Sequence, residues 1–305
     1  MPKKMPKHFT DEAAARAHLE AIQWPDGPIC PHCGVVNEAS RIAGGRKGLM
    51  FCNACRKQLS VTVGTAFERS KIPLNTWLYA NHLLCSSKKG ISSQQLARML
   101  GVTVKTAWFM SMRIRETWVP ASGAGPLGGE GQIVEADETE LSPSRKSRPR
   151  SRKDNKKFVS LVERGGRVRS KVITGAELPI GLEVRHALYT NVDRKTTLHT
   201  DGAQHYKYQM PNHESVDHDK TFARTTDTGE RVHTNSAEGY FSIFKRGLVG
   251  TYQHMSAQHL HRYLAEFDFR MNHRVKLGYS DDMRADAALK GIVGKRLTYR
   301  SPDAA

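Results

Sequence analysis

Four cysteines place the tightest limit on what this chain can fold into. Cys30-Pro31-His32-Cys33 and Cys52-Asn53-Ala54-Cys55 are two C-x2-C pairs with eighteen residues between them. Each pair can close a tight knuckle, and two knuckles together offer four thiolates to one tetrahedral Zn²⁺. Protein atoms would fill every position on that ion, so the expected zinc is structural. Arg41 to Phe51, between the pairs, reads as a short hairpin turned at Gly44-Gly45. Cys85 has no partner nearby and reads as a small buried side chain. Met1 to His8 is basic, but no apolar stretch follows it, and no run is long enough to span a membrane. A cytoplasmic protein is expected, where reduced cysteines are the rule.

Charge narrows the class of partner. Lys and Arg outnumber Asp and Glu by 47 to 30, giving a formal charge of +17 and a pI near 9.8. The excess comes in clusters, which favours a polyanion, most often nucleic acid. One cluster is the stretch Ser142 to Lys157, including Arg145, Lys146, Arg148 and Arg150, which can lie along a phosphate backbone.

The N-terminal part is predicted to be helical around the cysteines. Thr10 to Gln23 reads as a helix capped by Thr10 or Asp11 and ended by Trp24-Pro25; Pro73 to Leu84 reads as another. In Gly90 to Glu116, Ser92 or Ser93 caps a helix, Gly101-Val102-Thr103 turns the chain, and a second helix follows. Helix, Gly-containing turn and helix is the helix-turn-helix plan. Its second helix would present Thr103, Lys105, Thr106, Phe109 and Arg113 to a DNA groove. Gly, Ala and Pro then dominate Pro120 to Gly131, which reads as a linker. The expected domains are 1–64 (helix and zinc ribbon), 65–120 (helix-turn-helix), 131–278 (a mixed α/β domain) and 279–305 (a basic, partly ordered tail).

The second half alternates strands and helices. Gly131 to Leu141 starts β-rich and ends acidic, with Asp137 closing the apolar part and Glu135 on the same strand face. Phe158 to Val162 and Val168 to Ile173 flank Gly165-Gly166 as a hairpin. A helix over Leu178 to Leu188, a strand over Thr196 to Thr200 ended by Asp201-Gly202, and a loop-rich stretch from Gln204 to Arg231 follow. The last holds His205, His213 and His218, each read as simply hydrogen-bonded. In His233 to Tyr252, Ala237, Phe241, Phe244 and Leu248 form an apolar stripe, with Asn235 before the helix and Gly247 and Gly250 at its end. Glu238 and Lys245 share a face beside that stripe. Ser256 would cap a last helix burying Leu260, Leu264, Phe267 and Met271 and showing His261, Arg262, Arg270 and Arg274 outward.

Asp137 ends a first strand, Asp201 a fourth, and Glu238 opens a helix, at spacings of 64 and 37 residues. Three strands in meander, then helix, strand and helix, is the plan of the ribonuclease H-like fold. Carboxylates at those places suit phosphodiester chemistry, since two Mg²⁺ (or Mn²⁺) ions bridged by acids stabilise both the attacking and leaving oxygens. Lys245, two turns along from Glu238, suits a phosphate. Glu238 also has a structural reading, as the partner of Asn235 in a capping box.

These residues resemble the ISXO2-like transposases of the IS1595 family of bacterial insertion sequences. The resemblance runs through Trp24-Pro25-Asp26-Gly27 and the first cysteine pair, the helix-turn-helix, Val134 to Thr139, Thr200-Asp201-Gly202, His233 to Gly247, and Tyr263 to Asn272. It implies a DDE-type enzyme with Asp137, Asp201 and Glu238 as catalytic acids on magnesium, and Lys245, followed by the DNA-contacting Arg246, on the helix. Asn235 is a rival third ligand, and Leu141-Ser142-Pro143-Ser144-Arg145 stands where relatives carry Gly-Gly-Lys. It further implies binding to terminal repeats, joining of 3′ ends to target DNA, homo-oligomers on paired ends, and work at the bacterial nucleoid. The reading from another class is a zinc-ribbon and helix-turn-helix regulator, or an inactive transposase-derived protein, which would not need the acids or Lys245.

Overall fold

The computed structural model describes residues 5–45, 47–120, 125–141, 156–217 and 220–298. Arg145, Lys146, Arg148, Arg150 and His218 lie outside the described residues. The chain forms two compact units: one from Met1–Val119 with Gly278–Ala305, the other from Pro120–Leu277.

The first unit begins with α1 (Glu12–Gln23), capped where the Asp11 carboxylate accepts from the Ala14 amide. Ala15 and Leu19, one turn apart, are its fully buried positions. A three-stranded antiparallel ribbon follows: β1 (Ala39–Arg41), β2 (Met50–Cys52) and β3 (Gln58–Leu59), with Arg41 opposite Met50. α2 (Leu74–Ser86) buries Trp77, Leu78, Leu84 and the lone Cys85. α3 (Ser93–Leu100) is capped by Ser92 and stopped by Gly101, whose φ of 65° is left-handed and costs least in glycine. Thr103 then caps α4 (Val104–Trp118).

The second unit is built on one mixed sheet. Its strands are β4 (Ile133–Leu141), β5 (Lys156–Glu163), β6 (Val168–Ile173), β7 (Thr197–Asp201) and β8 (Asn212–Val216), in the order β6-β5-β4-β7-β8. β4, β5 and β6 pair antiparallel, while β4 with β7 and β7 with β8 pair parallel. The β6-to-β7 connection carries α5 (Ile180–Asn191), which covers one face through Val184, Ala187 and Leu188 against Val134, Ala136, Val159 and Leu161. A two-stranded ribbon, β9 (Arg224–Thr225) and β10 (Arg231–Val232), leads to α6 (Asn235–Gly247) and then α7 (Leu260–Asn272). The two helices cover the opposite face, where the Phe158 ring meets Phe244 at 5.0 Å and Phe241 at 5.5 Å. Truncating the fully buried Phe244 to Ala would cost about 3–5 kcal/mol.

Several expectations change here. β4 does not stop at Asp137 but runs on to Leu141. The stretch read as loop holds β8, an edge strand of polar sequence. Ser256 makes no cap bond; a 3-10 turn, Ala257–His259, enters α7 instead. Arg270 is buried and paired with Glu266, because the wide apolar arc of α7 leaves that position facing protein.

After α7 the chain returns to the first unit. Ser280 caps α8 (Asp281–Lys290), which packs on α2. Asn81 donates to the Ala285 carbonyl at 2.9 Å and Arg284 to the Cys85 carbonyl at 2.9 Å. The segment read as a basic tail is therefore part of a core.

Candidate active site and metal centre

The two cysteine knuckles close on one point. All four sulfurs lie within 4.8 Å of one another, with Cys30 and Cys55 at 3.6 Å and Cys33 and Cys52 at 3.8 Å. A zinc ion holding four thiolates at about 2.3 Å separates them by about 3.8 Å, so the spacing fits. Burial raises the Cys30 thiol, but the amides of His32 and Cys33 and the sulfurs beside it outweigh that and bring it down to about 6. A thiol so placed is ready to ligate as thiolate. The site supports a structural Zn²⁺.

The acids of the second unit come together through sheet register. The parallel pairing of β4 and β7 runs as far as Ala136 opposite Thr200, and Asp137 and Asp201 are the next residues on the two strands. Across from them, an open cleft of about 680 Å³ is lined by Asp137, Glu138 and Thr139 on β4 and by Glu238, Ser242, Lys245 and Arg246 on α6. The buried stripe of α6, Ala237, Phe241 and Phe244, fixes its rotation, which leaves Glu238 and Lys245 exposed along the cleft. Burial first, then the charges of Asp201, Glu138 and Glu238, pushes the Asp137 carboxyl up to about 6. Among the described residues the carboxylates do not close as tightly as the cysteines. A divalent cation would lower the Asp137 carboxyl again, and an oxygen-only donor set suits Mg²⁺ or Mn²⁺.

The capping box does not form. Asn235 is the first residue of α6, exposed, and Thr234 holds the cap position without a side-chain cap bond. The orphan amides of Ser236 and Ala237 instead donate to Oε2 of Glu135, at 2.6 and 3.2 Å. The Glu238 carboxylate accepts from the Thr234 hydroxyl at 3.5 Å rather than from the Asn235 amide that a capping box would require. Glu138, beside Asp137, is held by His205. Tyr206 is buried next to it, and burial together with that carboxylate raises its hydroxyl well above the usual value.

The second helix of the helix-turn-helix is exposed only at its beginning. Thr103 and Lys105 are exposed and Thr106 and Phe109 half-buried, whereas Arg113 is 8% exposed. Its guanidinium donates to the Glu68 carbonyl at 2.9 Å and stacks over Trp77 at 5.3 Å. Arg113 is thus a core residue rather than a groove-facing one, because α4 is enclosed on most sides from Ala107 onward.

Comparison with known proteins now decides the family. Residues 126–272 match the ISXO2-like transposase domain, and residues 10–58 match the transposase zinc-ribbon domain of IS1595 type. The chain carries both of these transposase domains. A relative at 25% identity over 288 residues is an uncharacterized protein in transposable element ISH50 of Halobacterium salinarum; the alignment covers 87% of this chain and 92% of that one. Among the described residues, no helix is long and apolar enough to cross a membrane.

Within this ISXO2-like domain, Asp137, Glu238, Lys245 and Arg246 line one cleft; Asp201 lies off that lining, as Asn235 does, but close enough for its charge to raise Asp137. The roles of Glu135, Arg164 and Glu138 were not read from the sequence. One signal was available: Glu135 sits between Val134 and Ala136, both fully buried, on a central strand. A carboxylate there must be buried too and must have partners.

Proposed function

We propose that this chain is the DNA-cutting and DNA-joining enzyme of an insertion sequence, with a ribonuclease H-like catalytic domain in its second unit. The observation that carries the reading is the register of β4 against β7, which sets Asp137 beside Asp201, with Glu238 and Lys245 on the helix facing them. The strand order and the α5 crossover support the ribonuclease H-like assignment. Asp137, Asp201 and Glu238 would hold two divalent ions, which when bound supply charge to the oxygens of an in-line displacement at phosphorus.

The chain's own groups do the rest. Water attacks a phosphodiester at an element end; the bond from phosphorus to the 3′ oxygen breaks and a 3′-OH is released. That hydroxyl then attacks a target phosphodiester, forming one bond as another breaks. Lys245 and Arg246 would grip the non-reacting phosphate oxygens and keep the scissile bond over the acids. Thr103, Lys105, Thr106 and Phe109 would read the element end, while the stretch holding Arg145, Lys146, Arg148 and Arg150 would follow the backbone without sequence preference. Paired ends imply at least two copies on DNA.

The test is incubation of the protein with Mg²⁺ and DNA carrying candidate element ends. Nicks at the ends are expected from the parent and from Asn235→Ala, and none from Glu238→Gln. Full nicking by Glu238→Gln, with Asn235→Ala folded but dead, would move the third ligand to Asn235. No nicks by any form on DNA that it binds would leave a regulator.

A further inference from the structure

Glu135 accepts four hydrogen bonds, and nothing in the proposed chemistry uses it. It is completely buried in the middle of β4. One oxygen accepts the amides of Ser236 and Ala237; the other accepts the Ser236 hydroxyl at 2.9 Å and Nε of Arg164 at 3.0 Å. Nδ1 of His233 lies 3.3 Å from the same oxygen. Arg164 in turn reaches Nδ1 of His199 at 3.0 Å and the His233 carbonyl at 3.4 Å.

These partners sit at telling positions. Glu135 lies two residues before Asp137 on β4, and His199, its register partner, lies two residues before Asp201 on β7. Ser236 and Ala237 immediately precede Glu238 on α6. A single pair, a buried carboxylate and a half-buried guanidinium, therefore ties together the three elements that carry the three acids. A helix start that would ordinarily be capped by its own residues is instead capped from the strand that holds Asp137. Rotation or sliding of α6 against β4 breaks three bonds to Glu135 at once, leaving the buried charge to Arg164 and His233 alone.

We propose that Glu135, with Arg164, is a positioning residue for the metal-binding acids, setting where Glu238 stands relative to Asp137. The proposal rests on the metal-site reading given above. Partners behind metal ligands typically govern affinity by tenfold or more, because they fix the ligand's place before the ion arrives.

The experiment is a Mn²⁺ titration of the full-length, zinc-loaded protein by electron paramagnetic resonance, with thermal melting alongside. Glu135→Gln keeps the shape and one acceptor but loses the charge that holds Arg164 and the helix amides. It is expected to weaken Mn²⁺ binding about tenfold, and to have no further effect in a Glu238→Gln background, since it acts through Glu238. Ser236→Ala and Arg164→Gln, milder cuts in the same network, are expected to show smaller losses with the same dependence on Glu238, and they carry the test if Glu135→Gln does not fold. Unchanged Mn²⁺ affinity in the folded variants, or an equal loss with and without Glu238, overturns the proposal. Asp137→Ala separates the two levels. If it too leaves Mn²⁺ binding intact, the metal-site reading falls and this proposal with it; if it abolishes binding while the network variants do nothing, this proposal alone falls.

Discussion

The cysteine centre and the carboxylate cleft are two ways of bringing ligands together. The cysteines lie on two knuckles less than thirty residues apart, and their sulfurs already stand at ligating distances. The acids are spread over 64 and 37 residues and meet only when β4, β7 and α6 have found one another. Local closure costs little chain entropy and yields a site whose ion is part of the fold. Remote assembly leaves the acids further apart and raises the Asp137 carboxyl to about 6; under the function proposed above, a site so built would take and release ions as it worked.

The largest contrast should come from removing ligands at each centre. Asp137→Ala, Asp201→Ala or Glu238→Gln should lower nicking and joining by about a thousandfold or more, measured on labelled element ends. DNA binding and zinc content should stay at parental values; a folded Asp137→Ala enzyme that still cuts would erase the distinction between the two centres. Cys30→Ser or Cys52→Ser should do the reverse. Metal analysis should fall from about one zinc per chain to none, the ribbon should unfold, and affinity for DNA should drop while the second unit still melts cooperatively.

A weaker effect sharpens the same contrast at the level of DNA contacts. Neutralising Arg145, Lys146, Arg148 and Arg150 together should reduce the slope of log affinity against log salt by up to about 3–4 and leave end preference unchanged. Lys105→Ala should change end preference instead. Arg113→Ala should do neither: its guanidinium is buried over Trp77, so the expected result is a lower melting temperature of the first unit. Competition binding on cognate and scrambled ends separates these outcomes.

The smallest effect concerns a carboxyl that holds the second unit together without touching metal. Asp268 is buried on α7 and accepts from Tyr240, from the Ser170 amide at 2.7 Å and from the Ser170 hydroxyl at 2.8 Å; burial pushes it up to about 6. A carboxyl held above its ordinary value binds its proton more tightly in the folded state. Its contribution to stability is therefore greatest at acid pH and is lost as pH rises from about 4 to about 6, at about 1.4 kcal/mol per unit. The difference in melting temperature between the parent and Asp268→Asn should change across that window and be flat above it.

Legibility followed the same local-versus-remote divide. The zinc knuckles, a cap at Ser92 or Ser93, the Gly101 turn and the β5–β6 hairpin could all be read because their causes lie within a few residues. β8 could not, because Asn212-His213-Glu214-Ser215-Val216 is an edge strand with little apolar alternation, placed by pairing with β7. The α6 cap was misassigned to Asn235 because its true partner, Glu135, is a hundred residues away. Arg113 was given to a DNA groove and Arg270 to an outward face because helical periodicity knows only one helix, not what surrounds it. The cleft acids were legible as residue types in a strand–strand–helix plan, but not the network that sets them.

One feature of the chain's path bears on how the protein is made. The first unit is interrupted by the whole of the second and is completed only when α8 arrives to pack on α2. On the ribosome, residues 120–277 can mature while the earlier segment still waits for the residues of α8 that meet Leu78, Asn81 and Cys85. A product cut short just before Gly278 would keep its complete sheet and acids yet lose the integrity of the part at the opposite end of the message. Proteolysis near Leu277, or a late frameshift in the gene, would then damage the zinc-bearing unit first.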